Sequence, residues 1–255
     1  MLEVRSISIQ FGGLKAVCDF SLSLEKGCLQ GLIGPNGAGK TTVFNLLTGV
    51  YRPTEGKIEL DGKAVNGLKP YQIAAAGMAR TFQNIRLFGD LSVLDNVRIA
   101  CHLRTEQSML GAIFRSPLHR GEERAILERA HKLLEIFKLQ DREGEQARNL
   151  PYGDQRRLEI ARAIATDPKV LLLDEPAAGM NPQEKKALRE LIDFVRKEFG
   201  LTVLLIEHDM GLVMEICERI TVLDHGVTIA HGTAAEVSND PKVIEAYLGA
   251  PSEGN

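Results

Sequence analysis

Gly34-Pro35-Asn36-Gly37-Ala38-Gly39-Lys40-Thr41-Thr42 matches the pattern G-x-x-x-x-G-K-[ST] at every fixed position. Its flanks fit as well. An apolar run through Leu29, Leu32 and Ile33 leads in, and apolar residues at helical spacing, Val43, Leu46, Leu47 and Val50, lead out. The order is strand, glycine loop, helix. Glycine lets backbone N–H groups curl around an anion with no Cβ in the way, and the following helix aims its positive end at the same point. Gly34 to Thr42 therefore reads as a phosphate-binding loop, in which Lys40 reaches the β- and γ-phosphates and the Thr41 hydroxyl holds Mg²⁺. A chance glycine-rich turn would not carry both flanks.

Upstream of the loop, residues 2 to 11 alternate, with Leu2, Val4, Ile7 and Ile9 apolar, and Ser21 to Leu24 alternates again. This is the pattern of strands with one covered face. Between them Phe11-Gly12-Gly13 makes a turn that exposes an aromatic ring, a platform on which an adenine base can stack. Downstream, turns at Pro53-Thr54-Glu55-Gly56 and Asp61-Gly62 bracket a strand from Lys57 to Leu60. A short helix over 71–77 ends at Gly77, and Met78 to Phe82 reads as a strand ending on Gln83.

From Asn84 the helical period takes over. Leu127, Ala130, Leu134 and Phe137 form a buried stripe with Leu133 beside them, and the stretch from Glu106 to Gly121 reads as loop or short helices. Residues 84–166 are thus a helical subdomain inserted into an α/β core formed by 1–83 and 167–255. Val170-Leu171-Leu172-Leu173 is a strand buried on both faces. Asn181-Pro182-Gln183-Glu184 starts a helix with Asn as N-cap, Pro first and Glu third, and Leu188, Leu191, Ile192 and Val195 form its stripe. Thr202 to Ile206 is a further buried strand, followed by Glu207-His208-Asp209. A helix through Val213 and Cys217, a hairpin turning at Asp224 to Gly226 and a helix from Asp240-Pro241 through Leu248 complete the core.

At 255 residues and a formal net charge of -3 the composition is that of an ordinary globular α/β protein. The charge argues against a nucleic-acid surface, which needs a basic excess. Glu3 and Arg5 interrupt the first apolar residues, so no signal peptide is expected. No run approaches the roughly 18 to 20 apolar residues of a membrane span. Cys18, Cys28, Cys101 and Cys217 lack C-x-x-C spacing and read as free thiols in a reducing compartment.

Asp174 and Glu175 end a buried strand, where α/β sheets place their chemistry. Beside a phosphate loop the first acid holds Mg²⁺ and the second polarises the attacking water. Here the chain resembles one family, the ATP-binding cassette (ABC) ATPases. The phosphate loop, Gln83 after a strand, the L-x-x-G-x-Q-R-R segment from Leu150, Leu171-Leu172-Leu173-Asp174-Glu175-Pro176 and His208 come in that family's order, over essentially the whole chain.

The resemblance implies an α/β nucleotide-binding domain: a RecA-like phosphate-loop core, an antiparallel β subdomain and the helical insertion. It implies that Gln83 contacts Mg²⁺ and the water while linking to a transport subunit, that His208 contacts the γ-phosphate, and that Ala178 to Asn181 touches a second cassette. Where the family has L-S-G-G-Q this chain has Leu150-Pro151-Tyr152-Gly153-Asp154, without the serine hydroxyl. Tyr152 and Gly153 remain at the N-terminus of the next helix, which still binds an anion. Asp154 beside that phosphate is tolerable only if it caps the helix and faces away. Asn181 also stands where the family more often has Asp.

Arg80-Thr81-Phe82-Gln83, Pro176-Ala177-Ala178-Gly179-Met180-Asn181-Pro182 and Ala246-Tyr247-Leu248-Gly249 are similar to the ATP-binding subunits of branched-chain amino-acid importers. Related cassettes, including that of lipopolysaccharide export, share much of this. The expectation is an ATPase that uses ATP and Mg²⁺ as one of two cassettes, identical or companion. It would work peripherally on the cytoplasmic face of the membrane with permease subunits and, indirectly, a periplasmic binding protein. The alternatives are another transport system, or a cassette that binds ATP and hardly turns over. Chromosome and repair ATPases of the superfamily need a long coiled-coil insertion with sustained heptads, which this chain lacks. Leu87, Phe88, Leu91, Val93 and Leu94 are too dense for a solvated loop and suggest a docking patch for the membrane partner.

Overall fold

The structure is a computed structural model that describes residues 1–104 and 117–248. The chain divides into two units, Met1–Arg80 with Lys169–Asn255, and Thr81–Pro168. The first unit opens with β1 (Leu2–Phe11), β2 (Leu14–Leu24), β3 (Leu29–Ile33) and α1 (Lys40–Leu47). It continues through β4 (Glu55–Leu60), β5 (Lys63–Ala64), α2 (Pro70–Ala76) and β6 (Met78–Arg80). The second unit contains α3 (Val93–Cys101), α4 (Pro117–Ile136) and α5 (Tyr152–Ala165). The first then resumes with β7 (Val170–Asp174), α6 (Pro182–Glu198), β8 (Thr202–Ile206) and α7 (Met210–Ile216), and ends with β9 (Arg219–Asp224), β10 (Val227–Gly232), α8 (Ala234–Ser238) and α9 (Pro241–Leu248).

Two sheets form the first unit. The alternating strands pair antiparallel in the order β2-β1-β4-β5, and the apolar strands join a sheet of order β10-β9-β3-β8-β7-β6. In that second sheet β9, β3, β8, β7 and β6 run parallel, while β10 turns back antiparallel on β9. β3, β7 and β8 are buried at every residue, as expected of parallel strands covered on both faces, and Val, Ile and Leu make up most of them. α1 buries Val43, Phe44 and Leu47 in one core cluster with Leu2, Ile7 and Leu24 of the first sheet and Leu172 and Leu204 of the second. Each such side chain contributes about 1.5–3 kcal/mol on burial. That packing fixes the helix whose first residue is Lys40.

In the second unit α3, α4 and α5 pack on one another. The buried stripe of α4 is Ile126, Ala130, Leu133 and Leu134, continued by Phe137 just past its end, and Leu127 is 36% exposed. The expected stripe is therefore rotated by one residue at its N-terminal end, where Ile126 and Ala130 form the i, i+4 pair. Of the stretch read as loop or short helices, residues 106–116 lie outside the described residues, and Pro117 onward is already α4.

β6 ends at Arg80, two residues before the expected Phe82. The backbone of Phe82 is used elsewhere: its N–H donates to Glu159 Oε1 (3.3 Å) and its carbonyl accepts from Arg156 Nη1 (2.7 Å). Gln83 consequently belongs to the second unit. α8, too short to show a period, was not expected. Among the described residues no helix is long and apolar enough to cross a membrane, and the four cysteines are free thiols.

Candidate functional site

Residues 34–39 turn tightly between β3 and α1. Gly34 has φ 150° and Gly39 φ 103°, and a Cβ at Gly34 would lie 1.9 Å from the carbonyl oxygen of Leu223, one at Gly39 2.7 Å from that of Ala16. Only glycine fits either place. The turn between β9 and β10 grips the loop from outside: Gly226 N–H donates to the Ala38 carbonyl (2.9 Å), and Cys18 N–H donates to the Gly226 carbonyl (2.8 Å). Lys40 is buried, and its Nζ donates to the carbonyls of Gly34 (2.6 Å) and Pro35 (2.8 Å). Burial lowers the pKa of its ammonium, against the opposing pull of the Glu175 and Asp174 charges. Thr41, one residue on, is exposed.

The sheet brings the carboxylates to the same edge. Leu32 of β3 and Asp174 of β7 both stand opposite Ile206 of β8, so three strand ends are level. Asp174 is buried and pairs with Arg80, Nη2 to Oδ2 at 2.6 Å. The same guanidinium donates from Nη1 to Asn45 Oδ1 (2.7 Å) and lies 5.4 Å from the centroid of the Phe44 ring. Glu175 has φ 45°, in the left-handed region, and its N–H donates to the Ile206 carbonyl (2.9 Å). For a non-glycine residue that conformation costs about 1–3 kcal/mol, a strain that clusters at functional positions.

His208 follows β8, is mostly exposed, and sets Nδ1 3.5 Å from Glu175 Oε2. Its neighbour Glu207 is fully buried. Glu207 Oε1 accepts from Ala177 N–H (2.7 Å) and Oε2 from His208 N–H (3.2 Å). Burial pushes this carboxyl above the usual carboxylate range. Asp209 caps α7 by accepting from Leu212 N–H (3.1 Å), and a hydrogen bond from Lys185 Nζ (2.5 Å) holds its carboxyl low. At the far end of β1, Phe11 is 43% exposed and meets the ring of Tyr51 edge to face, centroids 5.1 Å apart.

The second unit contains the other sequence-read positions. Gln83 is exposed, and Tyr152 and Gly153 are the first two residues of α5. Asp154 does not cap the helix as the sequence reading required; the N-cap is Pro151. Its carboxylate is engaged instead by Arg157 (3.3 Å) and Arg142 (3.7 Å). Arg156 is wholly buried and pairs with Glu159 at 2.7 Å. It also donates to the carbonyls of Phe82 (2.7 Å) and Gln83 (2.9 Å), and Glu159 Oε1 accepts from the N–H of Phe82 and of Arg86, each at 3.3 Å.

The structure thus gathers the loop, Asp174, Glu175 and His208 in the first unit. Sequence reading passed over Arg80, Glu207, Tyr51 and the Arg156–Glu159 pair. For Arg80 and Glu207 the available signal was a charge set directly after an apolar run.

Comparison with known proteins fits this arrangement. The model of the ABC transporter family matches residues 17–178, well over half of the chain. The chain is an ATP-binding cassette of the ABC transporter family. As a member, the cassette binds and hydrolyses ATP. The model of the branched-chain amino acid ATP-binding cassette transporter matches residues 227–252.

The cassette is 49% identical over 249 residues, 98% of each chain, to the high-affinity branched-chain amino acid transport ATP-binding protein LivG of Salmonella typhimurium. It is 47% identical, again over 98% of each chain, to the corresponding protein BraF of Pseudomonas aeruginosa. To the lipopolysaccharide export system ATP-binding protein LptB of Escherichia coli it is 34% identical, over 97% of each chain. Among solved structures it is similar to MJ1267, an ATP-binding cassette of an ABC transporter in its ADP conformation: TM-score 0.83, 31% identity, covering 98% of this chain and 99% of that one.

Proposed function

We propose that the cassette powers import of branched-chain amino acids, as one of two cassettes bound to permease subunits on the inner face of the cell membrane. A periplasmic solute-binding protein would deliver the amino acid from outside. The observation that carries this reading is full-length identity of 47 to 49% to proteins named for branched-chain amino acid transport, against 34% to the lipopolysaccharide export protein.

In this reading the loop N–H groups from Gly34 to Thr42 cradle the phosphates, and Lys40 exchanges the Gly34 and Pro35 carbonyls for β- and γ-phosphate oxygens. The hydroxyl of Thr41 and the carboxylate of Asp174 are hard oxygen donors of the kind Mg²⁺ takes alongside phosphate. They would hold it, and it would supply neutralisation of phosphate charge. Glu175 polarises the attacking water, its aim set by the bent backbone and the bond to Ile206. His208, within reach of Glu175, contacts the γ-phosphate. Phe11 stacks on the base. Tyr152 and Gly153 offer the N-terminus of α5 to the phosphate held by the partner cassette, so chemistry needs two cassettes while binding needs one.

The test is reconstitution in liposomes with the permease subunits and binding protein. ATP hydrolysis should rise on addition of leucine, isoleucine or valine with the binding protein. Stimulation by lipopolysaccharide instead, or indifference to all three amino acids, overturns the substrate assignment.

A further inference from the structure

We infer that Arg80 is a positioning residue: it is the standing counter-charge of Asp174, and by holding that charge it keeps Lys40 available to phosphate. The inference rests on the reading of Lys40 as the phosphate-binding cation.

Asp174 of β7 is level with Leu32 of β3 across Ile206, Glu175 follows it, and β3 runs on into Gly34 and Pro35, whose carbonyls hold Lys40 Nζ, so two carboxylates stand at the edge where Lys40 is buried. A buried carboxylate draws in whatever cation can reach it, because its lost hydration is repaid only by a close partner. Lysine is the easier one to capture, being a point charge on a flexible four-carbon stem. In the structure Lys40 gives hydrogen bonds to the Gly34 and Pro35 carbonyls. These are weak competitors that a phosphate oxygen displaces at little cost. Arg80 occupies Asp174 at 2.6 Å.

Its guanidinium is fixed on other sides as well, by Asn45 and Thr48 of the α1 segment and by the face of Phe44. A planar, always charged fork can satisfy a carboxylate, an amide oxygen and an aromatic face together, which an ammonium cannot. Asn45, Thr48 and Phe44 all follow Lys40 on α1 or at its end. Arg80 therefore ties the helix that begins at Lys40 to the end of β7.

The consequence is a nucleotide affinity that depends on Arg80 even without metal. Affinity for ATP is measured by titration calorimetry on the full chain in excess EDTA, with far-UV circular dichroism to establish that each variant is folded. Arg80→Ala frees Asp174 to take Lys40, and affinity should fall by about tenfold, the equivalent of one shifted ion pair of about 1.4 kcal/mol. Arg80→Lys should lie between Arg80→Ala and the parent chain.

The deciding variant is Arg80→Ala with Asp174→Asn, which removes both charges at once and regains most of the lost affinity. An affinity that stays low in the double variant, or an Arg80→Ala chain that binds as the parent does, overturns the inference. Should Arg80→Ala fail to fold, the double variant carries the test alone, since it leaves no buried charge unpaired. Lys40→Ala is run beside them. Unchanged affinity there removes the phosphate-binding role of Lys40 itself, a failure distinct from that of Arg80.

Discussion

Arg156 Nη2 lies 2.9 Å from the backbone carbonyl of Gln83. The residue two places after Asp154 in the altered signature segment therefore holds the main chain of the residue expected to sense the metal and the transport subunit. Arg156 and its partner Glu159 are both buried. Arg156→Ala strands the Glu159 charge and should cost about 3–5 kcal/mol of stability in urea unfolding. Exchange of the Phe82 and Arg86 amides should also speed up, because Glu159 Oε1 loses the arginine that fixes it. Replacing the pair together, Arg156→Met with Glu159→Leu, should cost far less. Equal destabilisation by single and double variants would show that the charges themselves matter little here.

In the proposed site the base stacks on Phe11, which packs edge to face with Tyr51, and meets no base-specific hydrogen bond. Phe11→Ala should weaken ATP and GTP alike, by about 1–3 kcal/mol, as stacking does elsewhere. A parent chain that binds ATP much more tightly than GTP would require an adenine-reading pocket instead.

Glu175→Gln keeps the shape of the side chain and removes its charge. Nucleotide binding should persist and hydrolysis should be lost, so that with ATP and Mg²⁺ the variant accumulates as a closed pair, with itself or with a companion cassette. Light scattering with and without the companion separates these. Full hydrolysis by the variant would remove Glu175 from the chemistry.

Glu207 makes stability depend on pH. Burial holds its carboxyl above the ordinary 4.5, so in the window above that value the folded chain keeps a proton that the unfolded chain has released. Its contribution to stability is complete below the unfolded value and is lost as pH rises through the folded one. Glu207→Gln has no proton to lose. The stability advantage of the parent chain over this variant should be greatest below the ordinary carboxyl value and shrink as pH rises above it, read from urea midpoints. A gap constant over that range would mean that the carboxyl titrates normally.

The cluster after Gln83 divides in two. Val93 is fully buried, whereas Phe88 is 49% and Leu91 37% exposed. Phe88→Asp should leave the unfolding midpoint nearly unchanged, as surface substitutions do, and should prevent co-purification with the permease subunits. A large loss of stability would return Phe88 to the core of the helical unit.

Features set by neighbours in the chain were legible in the sequence. The phosphate loop, the buried runs of β3, β7 and β8, and the helix start at Asn181 all follow local rules. Asn181 Oδ1 accepts from Gln183 N–H at 2.9 Å and from Glu184 N–H at 3.0 Å, as its spacing to Pro182 and Glu184 implied. Arg80 and Glu207 were not legible, because what gives them meaning is distant: Asp174 is 94 residues from Arg80, and Ala177 is 30 from Glu207. A charge next to an apolar run reads as the end of a strand until the strand that lies beside it is known. The early end of β6 has the same origin, since Phe82 is drawn off by side chains of α5.

β6 and β7 are parallel neighbours, Met78 opposite Val170 and Arg80 opposite Leu172. Two parallel strands side by side always require a return path over the sheet, ordinarily a single helix. Here that path is everything from Thr81 to Pro168. Topologically the helical unit is one overgrown crossover, leaving at the end of one strand and rejoining at the start of the next, about 10 Å apart at the rise of a strand. Its length is then free of the sheet's strand order. Helices can be gained, lost or exchanged between those two points while the phosphate loop keeps its frame.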